Sequence, residues 1–136
     1  MAIYLTTHLK ERYLERFINK KRYDHLANCQ TESCKHCVSL IYELKRASAT
    51  AEIKKEIFER LDKAREIRSY MNNTEFMARC YERYGYRRFE FLVDDDALFV
   101  IIHDEGKKIA VTVMYSKFSV VGNIVNRPKF KKQQPA

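Results

Sequence analysis

The apolar residues of this chain change period at Gly85, from the three-to-four spacing of helices before it to the alternation of strands after it. Few folds accept such a division. Over residues 7–18, Leu9, Tyr13, Leu14, Phe17 and Ile18 share one arc of a helical wheel, while His8, Glu11, Arg12, Glu15, Arg16 and Asn19 occupy the other. A polar stretch spans residues 20–35, after which Val38, Ile41, Leu44 and Ala47 resume helical spacing. A second stripe follows in Ile53, Ile57, Leu61, Ala64, Ile67 and Met71. One helix over residues 38–71 would be about 51 Å long at 1.5 Å per residue, too long for a compact domain of this size. The spacing therefore predicts an antiparallel helical hairpin broken near residues 47–51, with Ser48 or Thr50 as the cap. A shorter helix is predicted over residues 74–84, capped by Thr74 and stopped by Gly85.

Beyond Gly85, residues 88–93, 98–103 and 108–115 read as strands joined by the acidic turns Asp94-Asp95-Asp96 and Asp104-Glu105-Gly106. Such short connections favour an antiparallel meander. The middle run is apolar on both faces, which places it at the centre of the sheet. In the third run, alternation puts Ile109, Val111, Val113 and Tyr115 on one face and Ala110, Thr112 and Met114 on the other. Residues 118–125 are a candidate fourth strand, weakened by Gly122. The expected fold is α+β: amphipathic helices, including the hairpin, packed on a C-terminal three- or four-stranded antiparallel sheet. A single domain over residues 1–126 and a basic tail over 127–136 complete the expectation.

With 46% hydrophobic residues in 136, the chain has enough apolar surface for one core, which excludes a wholly disordered polypeptide. No apolar run approaches membrane-spanning length, and the opening residues lack the pattern of a signal peptide, so a cytoplasmic protein with no membrane partner is expected. The four cysteines are then expected to be reduced. The net charge of +8 is uneven: residues 1–48 and 127–136 each carry +4, against +1 for 49–85 and −1 for 86–126. Such basic surfaces attract RNA or another polyanion first, and an acidic protein second.

His8, Arg12 and Arg16 recur every four residues, so one helix face aligns an imidazole with two guanidiniums. A neutral imidazole can take a proton from a ribose hydroxyl, while arginine forks hold phosphate and its developing charge. Pairing with Glu11 and Glu15 would instead give an ordinary solvated helix face. The HxxxRxxxR row on an early helix, followed by helices and a late meander ending in IAVTVMYS, resembles the barnase/RelE-like ribonuclease toxin superfamily, especially its small phage and bacterial domains. That resemblance, carried by residues 7–18 and 86–116, implies metal-independent RNA cleavage through attack of the 2′-hydroxyl on the adjacent phosphate. It implies His8 as the helix histidine, Arg12 or Arg16 as the phosphate-binding arginine, and Thr112 as the strand hydroxyl, with Tyr115 and Ser116 as weaker matches.

Two further clusters bear on function, and a third is set aside. His25 and Cys29 are one helical turn apart, and Cys34-x-x-Cys37 follows, a set that can place two thiolates and two further ligands around a structural zinc. His36 and Cys80 are alternative fourth ligands, and unligated thiols are the plain alternative. The run YERYGYRR interleaves rings and guanidiniums, making Arg83, Tyr84, Tyr86, Arg87 and Arg88 candidates for base stacking and phosphate contact. A helix end packed on the sheet explains the same residues without a ligand. The two acidic turns leave opposite ends of a meander, about 20 Å apart, and so cannot share a cation. His103 reads as a rim residue. The residues thus predict an RNA-binding protein in which metal-independent endoribonuclease chemistry is open. The alternative is a small non-enzymatic protein, of a kind that phages can encode, that binds and inhibits or regulates a macromolecule, with or without a structural zinc.

Overall fold

The computed structural model describes residues 2–31 and 33–116, and the fold is α+β, with helices packed on a largely antiparallel five-stranded mixed sheet. The candidate strand over 118–125 and the basic tail over 127–136 lie outside the described residues. In chain order the elements are β1 (Ile3–Leu5), α1 (Thr7–Tyr13), a π-type turn (Leu14–Ile18), α2 (Lys20–Asn28), α3 (Lys35–Ser48) and α4 (Ala51–Lys63). Then come β2 (Arg65–Glu66), a 3-10 turn (Arg68–Asn72), α5 (Thr74–Tyr84), β3 (Arg88–Asp94), β4 (Ala97–Asp104) and β5 (Lys107–Tyr115).

The strand order is β1-β5-β4-β3-β2. β3, β4 and β5 form the expected meander, with β4 at its centre and buried from Ala97 to Ile102. Its two turns use left-handed backbone at Asp95 (φ 55°) and at Glu105 and Gly106 (φ 52° and 79°), the geometry that two-residue hairpins require. Two short outer strands complete the sheet: β1 pairs parallel with β5 and β2 antiparallel with β3. The stripe ending at Met71 therefore does not form one helix. α4 stops at Lys63 because Ala64 is extended (ψ 149°), and Arg65 and Glu66 pair with Val93 and Leu92.

Local capping matches the residue chemistry. Thr6 accepts from the Leu9 amide at 3.0 Å, and Thr50, one of the two expected caps, accepts from that of Ile53 at 3.4 Å. At α5 the cap is Asn73 rather than Thr74, accepting from the Phe76 amide at 3.0 Å. The helix ends on Gly85 in a positive-φ conformation (φ 86°), as its sequence suggests. The polar stretch over 20–35 contains a helix, α2, whose one buried residue is Tyr23.

Each sheet face carries its own core. Leu9, Tyr13, Ile57 and Leu61 from α1 and α4 cover Phe99, Ile101, Ala110 and Val113 on one face. Phe76, Met77 and Cys80 from α5 cover Phe89, Phe91, Val100 and Val111 on the other. A smaller cluster of Leu14, Tyr23, Leu40 and Leu44 joins α2 and α3 to the π-type turn. Strict alternation fails along β5, because a bulge pairs Val100 with Thr112 but the next residue, Ile101, with Ala110. Val111 is the extra residue. Ala110 and Val113 consequently meet α1 and α4, while Ile109, Val111 and Met114 meet the α5 side, which corrects the face assignment from sequence.

Candidate functional site

The metal-ligand residues converge at the junction of α2 and α3. His25 lies in the last turn of α2 and Cys29 caps that helix; Cys34 immediately precedes α3 and Cys37 lies in its first turn. Ser33, left-handed at φ 59°, helps turn the chain between them. The four ligand atoms all lie within 4.8 Å of one another, and His25 Nε2 is 3.4 Å from Cys34 Sγ. Zinc bonds of 2.0–2.3 Å in a tetrahedron require ligand atoms about 3.3–3.8 Å apart, so small side-chain movements close the shell. The set can hold a metal ion such as zinc.

Of the alternative ligands, one adjoins the cluster and the other is remote from it. His36 packs its ring against that of His25, with centroids 4.5 Å apart, and Cys80 is buried under α5 in the second core. Burial pushes the Cys80 thiol up to about 11. Within the cluster, the His25 contact first, and then hydrogen bonds from Cys37 and Cys29, bring Cys34 down to about 6. Cys37 is pushed up to about 12 by desolvation and by its neighbouring sulfurs. Three sulfurs this close resist joint ionisation unless a cation balances them. Among the described residues this is the one group of side chains assembled for a metal.

A second convergence lies along the outer edge of β5. β1 covers that edge only from Lys108 to Ala110. The chain then leaves the sheet at Thr6, whose amide donates to Ala110 O at 3.2 Å and whose hydroxyl donates to Val111 O at 3.3 Å. Past this point α1 and the π-type turn run beside the strand. Arg16 Nη1 donates to Val113 O at 2.7 Å, and the Tyr115 hydroxyl donates to Arg16 O. Since Leu9 and Tyr13 are buried in the first core, the His8–Arg12–Arg16 row turns toward this edge.

The electrostatics identify what the row meets. Partial burial, and then the guanidiniums of Arg12, Arg83 and Arg16, hold His8 below its ordinary value of 6.5, with Glu11 acting in the opposite sense. Arg83 belongs to the last turn of α5, on the other side of the sheet. Beside it Thr112 lies against the Tyr84 hydroxyl, which burial holds above its ordinary range. The bulge makes this meeting accessible to Thr112 by turning it toward α5. Arg12 pairs with Glu15 at 2.6 Å and Glu11 with Lys45 at 3.7 Å, so part of the row is an ordinary helix surface. His8 and Arg16 make no ion pair among the described residues. Thr112 is buried, 7% exposed.

The aromatic and basic run divides between two places. Arg83 acts electrostatically on His8 and Tyr84 lies by Thr112, whereas Arg87 and Arg88 line a cleft of about 630 Å³ beside β3, together with Arg68, Met77, Tyr81 and Glu90. Tyr86 stacks on Tyr81, with centroids 4.9 Å apart. Arg87 is held by Asp104 at 3.1 Å and by the Tyr84 carbonyl at 3.1 Å. The acidic turns are engaged by arginines, Asp94 and Asp96 by Arg60 and Asp104 by Arg87. His103 meets Glu90 at 3.0 Å on the sheet rim. Sequence reasoning did not connect Arg83 with His8, and did not find Arg60; no local pattern marks either relationship. Comparisons of the chain with protein-family models, with curated proteins and with solved structures found no match.

Proposed function

We propose that the protein binds RNA at the outer edge of β5 and cleaves it without a metal. In this reading His8 takes the proton from a ribose 2′-hydroxyl, and the 2′-oxygen bonds to the adjacent phosphorus as the bond to the 5′-oxygen breaks. The leaving oxygen takes a proton from water, giving a 2′,3′-cyclic phosphate and a 5′-hydroxyl end. Arg12, Arg16 and Arg83 hold the phosphate and offset the charge that grows on its oxygens. Thr112 orients the site from the strand. The observation that supports the reading is the meeting of one imidazole with three guanidiniums drawn from α1, its π-type continuation and α5.

The experiment is incubation of the purified protein with diverse single-stranded RNAs in buffer without added divalent metal. Cyclic-phosphate ends that disappear with His8→Ala are expected, while RNA binding persists through the arginines. Intact RNA and no binding would remove the proposal. The burial of Thr112 favours a second reading, in which the same basic edge binds RNA or another macromolecular partner without chemistry. RNA retained but never cut, with and without His8, would decide for it.

We also propose that His25, Cys29, Cys34 and Cys37 hold a structural zinc. Four protein ligands leave no open position for substrate, the pattern of a structural rather than a catalytic site. The ion would clamp the end of the α2–α3 pair, whose own core is the small cluster around Leu14, Tyr23, Leu40 and Leu44. No step at His8 passes through it.

A further inference from the structure

We infer that Tyr86 is a base-stacking platform, and that the cleft beside β3 continues the β5-edge site as a groove for single-stranded RNA; this rests on the proposed RNA binding and extends it. Three independent observations support it. First, Tyr86 is 91% exposed and its ring stacks on that of Tyr81, which lines the cleft, at 4.9 Å with 29° between the planes. One ring face is supported and the other is open to a base. Gly85 produces this display, because its positive φ (86°) ends α5 and turns the next residue outward.

Second, the two carboxylates that line the cleft are paired, Glu66 with Arg68 and Glu90 with Lys108 and His103, and its arginines are in two states. Arg87 is fixed by Asp104 and the Tyr84 carbonyl, which sets the loop. Arg83 and Arg88, on either side of it in sequence, make no ion pair among the described residues, and Arg88 is exposed. Unpaired guanidiniums flanking an exposed ring form the combination that tracks a nucleic-acid backbone while stacking its bases. Third, the positions are continuous. Arg83, in the last turn of α5, is within electrostatic range of His8, and the loop that follows leads to Arg88 at the start of β3, in register through His103 with Lys108 of β5. A strand leaving the His8 site passes the end of α5 and arrives at Tyr86. The occupant is single-stranded, since a base buried in a duplex cannot offer its face to a protein ring.

The test uses the full chain and an oligoribonucleotide of about eight residues carrying 2-aminopurine, whose fluorescence changes on stacking. 2′-O-methylation at every residue, the fluorescent one included, removes each attacking hydroxyl and keeps the probe from being cut. Tyr86→Ala should weaken binding by about 5- to 150-fold and abolish the fluorescence change at one probe position, while Tyr86→Phe retains both. Arg88→Ala should weaken binding and reduce its salt dependence without removing the stacking signal. Binding by the wild type that is lost in Arg83→Ala but unchanged in Tyr86→Ala overturns this inference and leaves the RNA reading in place. No binding by the wild type overturns both. Tighter binding of a duplex than of the single strand, or binding of an extended peptide at this cleft in place of the oligonucleotide, also overturns the inference.

Discussion

Arg16 donates through Nη1 to the backbone oxygen of Val113 across 2.7 Å, covering a strand edge that β1 leaves open. One side chain therefore has two duties: it satisfies a carbonyl of the sheet and it brings positive charge to His8. Because the carbonyl is half-sheltered, losing its donor carries a desolvation cost. Arg16→Leu should destabilise the fold by about 1–3 kcal/mol, read by urea unfolding. It should also weaken RNA binding under conditions where the variant is fully folded. Unchanged unfolding midpoints would show that water replaces the guanidinium without loss.

The imidazole of His8 should titrate below 6.5, because burial opposes its charged form and Arg12, Arg83 and Arg16 repel it more than Glu11 attracts it. The folded protein then binds fewer protons at this residue than the unfolded chain. The stability associated with neutral His8 is complete above 6.5 and is lost as the pH falls toward the folded value. In NMR titration the His8 midpoint should lie below 6.5, and the acid limb of RNA cleavage should follow it. Arg83→Ala should move both upward and Glu11→Gln both downward. A midpoint unaffected by Arg83→Ala would separate α5 from the site.

These two relationships show where the sequence was informative. The β3–β5 meander and the candidate metal cluster were legible because both are local: period two is visible within each strand, and His25, Cys29, Cys34 and Cys37 fall within two adjoining helix ends. β1 was not legible, since Ile3–Leu5 is too short to establish a period and its pairing with β5 spans the chain. β2 was hidden inside an apolar stripe at helical spacing, and beyond it the pattern points to the wrong residue: Met71, the last of the stripe, is exposed, while its neighbour Tyr70 is buried. The bulge at Val111 has no signature in its residues, yet it decides which face Thr112 meets. The meeting of Arg83 with His8 depends on all of these tertiary choices.

Purified without a polyhistidine tag, the protein should contain one equivalent of zinc, and a chelator should remove it with loss of stability. With free zinc at about a thousand times its dissociation constant, the stabilisation withdrawn is about 4 kcal/mol. The first amides to lose protection in hydrogen exchange should be those of α2 and the start of α3, since Tyr23 is the one buried residue of α2. Cys34→Ser should reproduce the effect, whereas Cys80→Ser should leave the zinc content unchanged because that thiol belongs to the α5 core. A metal-free protein with the same melting curve before and after chelation would reject the site.

Arg60 occupies the acidic turn as its counter-ion. Its Nε donates to Asp94 Oδ2 at 2.8 Å, and its Nη2 to Asp94 O at 2.7 Å and Asp96 Oδ1 at 2.9 Å. The guanidinium also lies 5.5 Å from the centre of the Phe17 ring and 5.9 Å from that of Tyr13. α4 is thereby fixed to the β3–β4 turn and to the helix that carries the His8 row. The Asp96 arm is exposed and contributes little, whereas Asp94 and the guanidinium are sheltered, so most of the effect belongs to that pair. Arg60→Ala should cost about 2–3 kcal/mol in urea unfolding. Arg60→Lys should recover only part of it, because an ammonium cannot span the carboxylate, the carbonyl and the rings together. Asp96→Asn should cost less than Asp94→Asn, and equal, negligible costs for both would assign the turn to hairpin geometry alone.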